Sequence, residues 1–258
     1  MSSNDSIKKT LIVAFSLCIV CSVIVSTAVV MLKPIQEVNK TLDRKRNILA
    51  AAGMLVEGES VDEQFAQIQT RVVDLTTGKF ADDAVNVDRY DQRKAAKDPA
   101  QSAELTADED LAKISRREKY ALIYIVQNPQ GDIEKIILPI RGYGLWSTLH
   151  GFIALESDAN TIAGLGFYEH GETPGLGGEV DNPRWKASWP GKLVYRDGEV
   201  QVGLIKGAVD ASAASAAWEI DGLAGATLTS KGVTNLVHFW LGEDGFEPFL
   251  NNLRDGEA

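Results

Sequence analysis

The sequence predicts an α+β protein with a single N-terminal transmembrane helix followed by one soluble domain of mostly antiparallel strands and flanking helices. Three observations lead to this prediction. An uncharged apolar run occupies residues 11–32, residues 35–118 are mainly polar with helically spaced apolar positions, and residues 120–206 contain paired apolar runs joined by turn sequences. Helices followed by strand pairs, without regular alternation of strand and helix, are typical of the α+β class.

The apolar run Leu11–Leu32 has 22 residues and contains no charge, glycine or proline. At the rise of an α-helix it spans about 33 Å, which is enough for the hydrocarbon core of a membrane. A cleaved signal peptide has a shorter apolar core and a small-residue cleavage site. We therefore expect an uncleaved anchor, with residues 1–34 forming a short tip and the transmembrane helix and residues 35–258 forming the soluble domain.

The charges that flank this run leave its orientation open. Lys8 and Lys9 precede the run, whereas five basic residues follow it: Lys33, Lys40, Arg44, Lys45 and Arg46. The positive-inside rule makes the more basic flank cytoplasmic, which places the large domain in the cytoplasm. Because residues 35–56 have the pattern of a helix that continues out of the membrane, their charges can instead serve packing against partners.

The soluble part of the chain is strongly acidic. The whole chain has a net charge of −10, and residues 1–46 hold seven Lys or Arg against three Asp or Glu, so the remaining 212 residues carry −14. This balance excludes nucleic acid as a partner class. Both cysteines, Cys18 and Cys21, lie in the membrane run, and the three histidines are scattered, so no disulfide framework or metal site is expected in the soluble domain.

Helices are predicted first along the soluble part. Residues 35–55 have apolar positions at helical spacing, and Gly53 and Gly58 interrupt them. Ser60 and Glu63 have the capping-box spacing, and Phe65, Ile68 and Val72 follow at helical intervals, which predicts a second helix from about Val61. Residues 77–107 are polar and predict a long surface segment, followed by an amphipathic helix over residues 108–118.

Strand pairs are predicted next, because the apolar pattern becomes continuous or alternating. Turn sequences lie at residues 128–131, at residues 158–160 and at Asp197-Gly198. The six predicted strands are Tyr120–Val126, Ile133–Ile140, His150–Leu155, Thr161–Tyr168, Lys192–Tyr195 and Val200–Lys206.

Residues 221–233, with the sequence Asp-Gly-Leu-Ala-Gly-Ala-Thr-Leu-Thr-Ser-Lys-Gly-Val, combine a flexible small-residue segment with the start of a helix. A helix N-terminus offers unpaired N–H donors and partial positive charge, so Thr227, Thr229 and Ser230 lie where a phosphate would be stabilised. An ordinary N-cap has the same composition. The segment lacks the Gly-Lys-[Ser/Thr] ending of a P-loop, which argues against a nucleoside triphosphate.

The part Asp-x-x-x-Gly-Ala-Thr, Asp221 to Thr227, resembles the flavinylation motif of FMN-binding domains. The resemblance implies that a flavin transferase joins FMN from FAD to the hydroxyl of Thr227 through a phosphoester. Ala224 stands where that motif usually has Ser or Thr.

Further segments resemble one family of these proteins, the C subunits of sodium-translocating NADH:quinone reductases, over nearly the whole chain. They are His170-Gly-Glu-Thr-Pro-Gly-Leu-Gly-Gly178, Arg141-Gly-Tyr-Gly-Leu-Trp-Ser147 and the tail from Phe239 to Leu250. The resemblance implies a single-pass protein of the bacterial inner membrane with its domain in the periplasm. It also implies an electron relay from an iron–sulfur centre of membrane subunits to the FMN of the B subunit, with the B, D and E subunits as neighbours and A and F in the same assembly.

The expected flavin contacts come from the same segments, and no residue is expected to act as a catalytic acid, base or nucleophile. Around the bond they are Gly225, Ala226, Thr227, Leu228 and Thr229; around the ring they are Trp146, Glu172, Thr173, Gly175, Leu176 and Gly177; and Lys206 is expected near the phosphate or ribityl chain. Alternatives are core packing for Trp146, a turn that hydrogen-bonds itself for Glu172 and Thr173, and a solvated lysine for Lys206.

Two other functions fit parts of the pattern. The G subunit of ferredoxin:NAD electron transport complexes has the same cofactor and topology, but the tail around Phe239–Leu250 favours the sodium pump. A cofactor-free, signal-anchored interaction protein would share the N-terminal helix, but the prepilin cleavage site of pseudopilin-like proteins is missing from the sequence.

Overall fold

The computed structural model describes residues 6–258, and the chain divides into two compact units between Arg44 and Lys45. Residues 1–5, which belong to the predicted N-terminal tip, lie outside the described residues. Helix α1, Ile7–Ala51, passes through both units. Its apolar segment reaches a mean hydropathy of 2.6 with none of its side chains buried, and it is the one helix within residues 6–258 that is long and apolar enough to cross a membrane.

The second unit, residues 45–258, is built on a six-stranded sheet in which every neighbouring pair is antiparallel. The strand order across the sheet is β2-β1-β5-β6-β7-β8. These strands are β1 Ile68–Asp74, β2 Lys79–Phe80, β5 Tyr120–Gln127, β6 Ile133–Tyr143, β7 Thr148–Glu156 and β8 Ile162–Glu169. The α+β prediction is confirmed, and the four predicted strands between residues 120 and 168 coincide with the four consecutive strands β5–β8.

Shorter elements complete this unit. The helices are α2 Val61–Phe65, α3 Gln92–Ala95, α4 Pro183–Lys186, α5 Thr227–Leu241 and α6 Glu247–Asp255, with 3₁₀ turns at Gly177–Asp181 and Ala216–Trp218. The remaining short strands are β3 Ser102–Glu104, β4 Arg116–Glu118, β9 Tyr195–Arg196, β10 Glu199–Val200, β11 Gly203–Leu204 and β12 Glu219–Ile220. The predicted turn Asp197-Gly198 joins β9 to β10, and both of its residues have positive φ, 54° and 89°, as a type I′ hairpin turn requires.

Both faces of the sheet are buried, which explains why its strands are continuously apolar. Tyr124 and Val126 belong to the core that contains the last turn of α1, whereas Ile123 and Ile125 belong to the core that contains α5 and α6. Successive side chains of a strand point to opposite faces, so a strand covered on both sides needs apolar residues at every position.

Helix α5 lies directly on β6 because two glycines bring the backbones together. A Cβ on Gly232 would lie 2.6 Å from the carbonyl oxygen of Tyr143, and a Cβ on Gly142 would overlap the side chain of Leu236. The indole N–H of Trp240 donates to the carbonyl oxygen of Arg141 at 2.6 Å. The first turn of α5 is thereby placed beside the end of β6.

Two of the predicted helices differ from the structure. Ser60 caps α2, since its hydroxyl oxygen accepts from the N–H of Glu63, but α2 ends at Phe65, and Ile68 and Val72 lie in β1. Their spacing of four satisfies a strand as well as a helix. Ile68 and Val72 form a strand because β1 pairs with β5 over seven residues.

The predicted helix over residues 108–118 is absent, and a turn-rich segment ending in β4 takes its place. The carboxylate of Asp110 accepts from the N–H groups of Ile114 and Ser115 at 2.7 and 2.8 Å. Lys113 and Ser115 adopt positive φ, 53° and 62°, which a right-handed helix does not allow. Local side-chain bonds to the backbone therefore replace the helical ladder in this segment.

Candidate functional site

Three segments that are distant in the sequence meet at one end of the sheet. They are the loop after β6, residues 143–147, the loop after β8, residues 170–178, and the first turn of α5 with the residues before it, 221–230. The carboxylate of Glu172 joins all three. The structure therefore brings together the Arg141–Ser147 and His170–Gly178 segments and the flavinylation-like motif.

Glu172 is 5% exposed, and both of its carboxylate oxygens accept hydrogen bonds. Oε1 accepts from the backbone N–H groups of Leu145, Trp146 and Ser147 at 3.0, 3.0 and 3.4 Å. Oε2 accepts from the hydroxyl of Thr229 at 2.6 Å. The side chain of Glu172 therefore fastens the three segments to one another and does not project into solvent.

The pKa of Glu172 is lowered from its ordinary value of 4.5 by this set of donors. Burial by itself raises the pKa of a carboxyl, because it penalises the charged form. The hydrogen bonds from Thr229 and from the N–H groups of Trp146, Leu145 and Ser147 stabilise the carboxylate and outweigh burial. Glu172 is therefore ionised at neutral pH.

Two glycines make room for this carboxylate. A Cβ on Gly144 would lie 2.6 Å from Oε1 of Glu172, and a Cβ on Gly177 would lie 2.5 Å from the hydroxyl oxygen of Thr229. Atoms at such distances would have to move. Gly177 is therefore needed for the packing of the loop against α5.

The three hydroxyls at the start of α5 have different environments. Thr229 is buried and donates to Glu172, and Ser230 is buried and accepts from the N–H of Leu223 at 3.1 Å. Thr227 is the first residue of α5 and its side chain is exposed. Of the three residues, only Thr227 is exposed, and it lies at the positive end of the helix dipole.

Large apolar side chains are exposed around this end of the sheet. Tyr143, Trp146, Leu176 and Leu228 are 40%, 65%, 44% and 59% exposed, and we call these four the apolar patch. Gly225 has φ of +71°, and a Cβ placed on it would lie 3.0 Å from Leu176, so the backbone before α5 approaches that side chain closely. Core packing, the alternative for Trp146, is wrong.

A groove of about 810 Å³ lies along the other side of the flavinylation-like motif. Its walls include Thr227, Ser230 and two exposed lysines, Lys206 and Lys231. Asp221 holds the groove in shape, because its carboxylate accepts from the N–H of Val209 at 2.7 Å. The structure thus places Lys206 in the same groove as Thr227, although the two are 21 positions apart in the sequence.

The remaining predicted contacts also lie in these segments. Ala226 is buried at the N-cap of α5, and Gly175 has φ of +75° in the 170–178 loop. The side chain of Thr173 is exposed. Its carbonyl oxygen accepts from the N–H groups of Leu176 and Gly178, so this loop forms a turn with its own backbone hydrogen bonds.

Sequence reasoning missed two residues of the site, Tyr143 and Lys231. Lys231 lies four positions after Thr227, which is one helical turn and the same helix face, so its spacing could have identified it. Tyr143 ends a strand, and no local pattern separates it from a core residue.

This arrangement suits binding more than acid–base chemistry. It offers an exposed apolar surface for a planar ring, a helix N-terminus and two lysines for a phosphate, and one exposed hydroxyl between them. Within residues 6–258 there is no group of three or more His, Cys, Asp or Glu side chains able to hold a metal ion.

The chain is similar in sequence to a known domain family and to known proteins. The family model described as the FMN-binding domain matches residues 144–242, which include nearly all of the three segments. The chain is 56% identical to the C subunit of the Na(+)-translocating NADH-quinone reductase of Pseudomonas aeruginosa over 100% of both chains. It is 51% identical to the corresponding protein of Vibrio vulnificus over 99% of each.

Solved structures extend the likeness to the fold. The crystal structure of NqrC from Shewanella oneidensis matches with a TM-score of 0.76 at 36% identity, covering 84% of this chain and 99% of that chain. The C subunit of a Na(+)-translocating NADH-quinone reductase from Parabacteroides distasonis matches with a TM-score of 0.65 at 27% identity, covering 85% and 96%.

The lowered pKa of Glu172 predicts a defined dependence of stability on pH. Because the folded pKa lies below 4.5, the ionised carboxylate stabilises the fold above that pH, and the contribution is lost as the pH falls through the folded pKa. We expect Glu172→Gln to lower the free energy of unfolding by about 1–3 kcal/mol at neutral pH. The difference from the original protein should shrink as the pH falls below 4.5.

Urea or thermal unfolding of the full chain in detergent, at neutral pH and near pH 4, measures this difference. The matched control is Glu199→Gln, because that glutamate is exposed and has no side-chain partner within residues 6–258; it should change stability by no more than about 0.5 kcal/mol. A Glu172→Gln effect that is equal at both pH values would contradict the prediction.

Proposed function

Because the chain belongs to the family of C subunits of the Na(+)-translocating NADH-quinone reductases, we propose that its FMN is bonded through phosphate to Thr227 and relays electrons within that complex. Membership makes the chain a subunit of an oxidoreductase complex, with other subunits as its partners. The full-length identity is with the C subunit, which selects this function over the G subunit and over a cofactor-free interaction protein.

The residues of the site fit such a group. The single observation that carries the proposal is that Thr227 alone is exposed among the three hydroxyl residues at the start of α5, the other two being buried and hydrogen-bonded. Lys206 and Lys231 would offset the phosphate charge in the groove, and the N-terminus of α5 would add its dipole. Trp146 and Leu176 would border the ring, since both are exposed on loops that Glu172 holds in place.

When bound, the flavin supplies one-electron transfer, which we propose to run from an iron–sulfur centre of the membrane subunits to the FMN of the B subunit. The chain's own residues supply no proton donor or nucleophile for this step. They fix the position of the flavin and the polarity around it, which set the distance and the potential. A covalent bond suits a surface site of this kind, because exposed apolar side chains alone would not retain a cofactor that two partners must reach.

Maturation requires one covalent step. We propose that the hydroxyl oxygen of Thr227 attacks the FMN phosphorus of FAD, forming the phosphoester and releasing AMP, with the hydroxyl proton leaving to solvent or to the flavin transferase. Loops carrying Trp146 and Leu176 would accept the ring without rearrangement, because the Glu172 hydrogen bonds are already made.

Regarding the membrane, we propose that residues 1–34 are the cytoplasmic tip and transmembrane helix, and that residues 35–258 lie in the periplasm of a bacterial inner membrane. The apolar segment of α1 and membership of a membrane complex support the anchor. The proposed orientation opposes the charge rule, and it rests on the family resemblance, which implies that an exported flavin transferase modifies Thr227. We propose the B, D and E subunits as neighbours, with A and F in the same assembly.

The bond to Thr227 can be tested with one substitution made at two positions. Thr227→Val keeps β-branching and removes the exposed oxygen, so we expect a folded protein without covalent flavin. Thr229→Val removes a buried oxygen two residues away and should retain the flavin, with some loss of stability from the unpaired Glu172 oxygen. Both variants are made as full chains together with the flavin transferase.

In-gel fluorescence of the denatured chains, and the mass of the tryptic peptide that contains Thr227, measure attachment. The peptide should gain the mass of FMN less one water in the original protein and in Thr229→Val only. Retention of flavin by Thr227→Val would move the bond to another residue and reject the assignment.

The ring position gives a second prediction. Trp146→Ala and Leu176→Ala should keep the covalent flavin and change its absorption spectrum or midpoint potential, because only the surroundings of the ring change. Leu111→Ala is the control, since Leu111 is also about half exposed, 49%, but lies outside the three segments. Spectra and potentials equal to those of the control would place the ring elsewhere.

The orientation gives a third prediction. Alkaline phosphatase fused after Ala258 should be active, since the enzyme folds only outside the cytoplasm, and the same fusion after Lys9, ahead of the membrane run, should be inactive. Activity of a cytoplasmic reporter at Ala258 would restore the orientation that the charge rule gives.

A further inference from the structure

A second concave site lies beside the loops of the flavin site and is lined by basic side chains. This cavity has a volume of about 550 Å³, within the range of small-molecule sites. Five of its lining residues are cations and one is a carboxylate, Glu169. The cations are Arg93, Lys97, Lys113, Arg116 and Arg141. We call it the basic cavity.

The concentration of positive charge here is unusual for this domain. Residues 47–258 hold 19 Lys and Arg against 33 Asp and Glu. About a quarter of these Lys and Arg residues therefore line one cavity, whereas only one of the 33 carboxylates lines it. The lining of this cavity is therefore much more basic than the rest of the domain.

The arginines of the basic cavity have partners inside the chain. Arg93 forms a bidentate pair with Glu169 at 2.7 and 2.9 Å, and Arg116 pairs with Glu104 at 3.2 Å. Arg141 pairs with the fully buried Glu118, which also accepts from Gln92 at 2.6 Å. These pairs hold the guanidinium groups in place.

The two lysines differ from the arginines, because neither Lys97 nor Lys113 forms an ion pair or a side-chain hydrogen bond within residues 6–258. Lys113 is held at a fixed backbone position, with φ of 53°, by the bonds of Asp110 to the next two N–H groups. The basic cavity therefore keeps two uncompensated positive charges that approach it from separate loops.

A histidine in the wall of the basic cavity has a pKa that its burial and the neighbouring positive charges change. The pKa of His150 is lowered to about 4, by burial first and then by the positive charges of Arg93, Arg141 and Lys97, against the opposite effect of Glu169. His170, also in the wall, pairs with Asp181 at 2.8 Å. The side chain of Thr148 adds a hydroxyl group to the same wall.

We propose that the basic cavity binds a small multivalent oxyanion, of the phosphate or polycarboxylate class, with Lys97 and Lys113 supplying the charge that no residue of the chain compensates. This site is separate from that of the flavin, since none of the apolar patch residues and neither groove lysine lines it. Ser147 and Gly171 belong to its wall and are neighbours in sequence of Trp146 and Glu172, so a bound anion would adjoin the loops of the flavin site.

Calorimetric titration of the full-length flavinylated chain in detergent with inorganic phosphate, pyrophosphate and citrate tests the proposal at constant ionic strength. We expect saturable binding of at least one anion. Binding of phosphate or pyrophosphate without citrate would indicate a phosphate ligand, and binding of citrate without the phosphates would indicate a polycarboxylate ligand. We further expect the NMR titration of the His150 ring to shift to higher pH with the bound anion, because a nearby negative charge stabilises the imidazolium form.

The double variant Lys97→Gln/Lys113→Gln should weaken binding about tenfold. The matched control Lys79→Gln/Arg184→Gln removes the same net charge from exposed residues outside the cavity and should leave binding within about twofold. The proposal is overturned if none of the three anions binds, or if the two double variants weaken binding equally, which would indicate an effect of net charge alone.

Discussion

A carboxylate buried between two loops and a helix organises the site of this protein. Taking a charge out of water is unfavourable unless the charge is hydrogen-bonded, and Glu172 accepts from four donors, three backbone N–H groups and one hydroxyl. The three N–H groups belong to the loop after β6 and the hydroxyl belongs to α5, so both segments must keep their positions for these hydrogen bonds to form. Trp146 supplies one of these N–H donors, while its side chain is exposed.

The same interaction separates the three hydroxyls at the start of α5. Thr229 is engaged by Glu172 and Ser230 by Leu223, so the exposed hydroxyl is that of Thr227. Helix α5 itself is fixed by close packing on β6 through Gly142 and Gly232, on a sheet whose two faces are both buried. A rigid sheet, a helix in close contact with it and a buried ion at their junction together give a surface site that is preformed.

Positive and negative charges are distributed unevenly over this domain. The acidic surface keeps the domain soluble and repels anions in general. The basic cavity is the exception, and buried pairs such as Glu118 with Arg141 hold its arginines without neutralising Lys97 and Lys113. The proposed flavin site and the basic cavity share the two loops that follow β6 and β8, so the two sites adjoin each other.

The sequence by itself determined the membrane run, the fold class, the strands β5 to β8, the hairpin at Asp197-Gly198 and the start of α5, because each depends on hydrophobic period or on local turn and cap chemistry. The motifs in the sequence also identified the three segments of the site. Tertiary structure decided what local pattern leaves ambiguous: Ile68 and Val72 fit a helix or a strand, and pairing with β5 selects the strand. It also decided which hydroxyl is exposed, that Glu172 is directed inward and that Lys206 and Lys231 share a groove with Thr227. These properties depend on contacts between residues far apart in the chain, and a local pattern carries no information about such contacts.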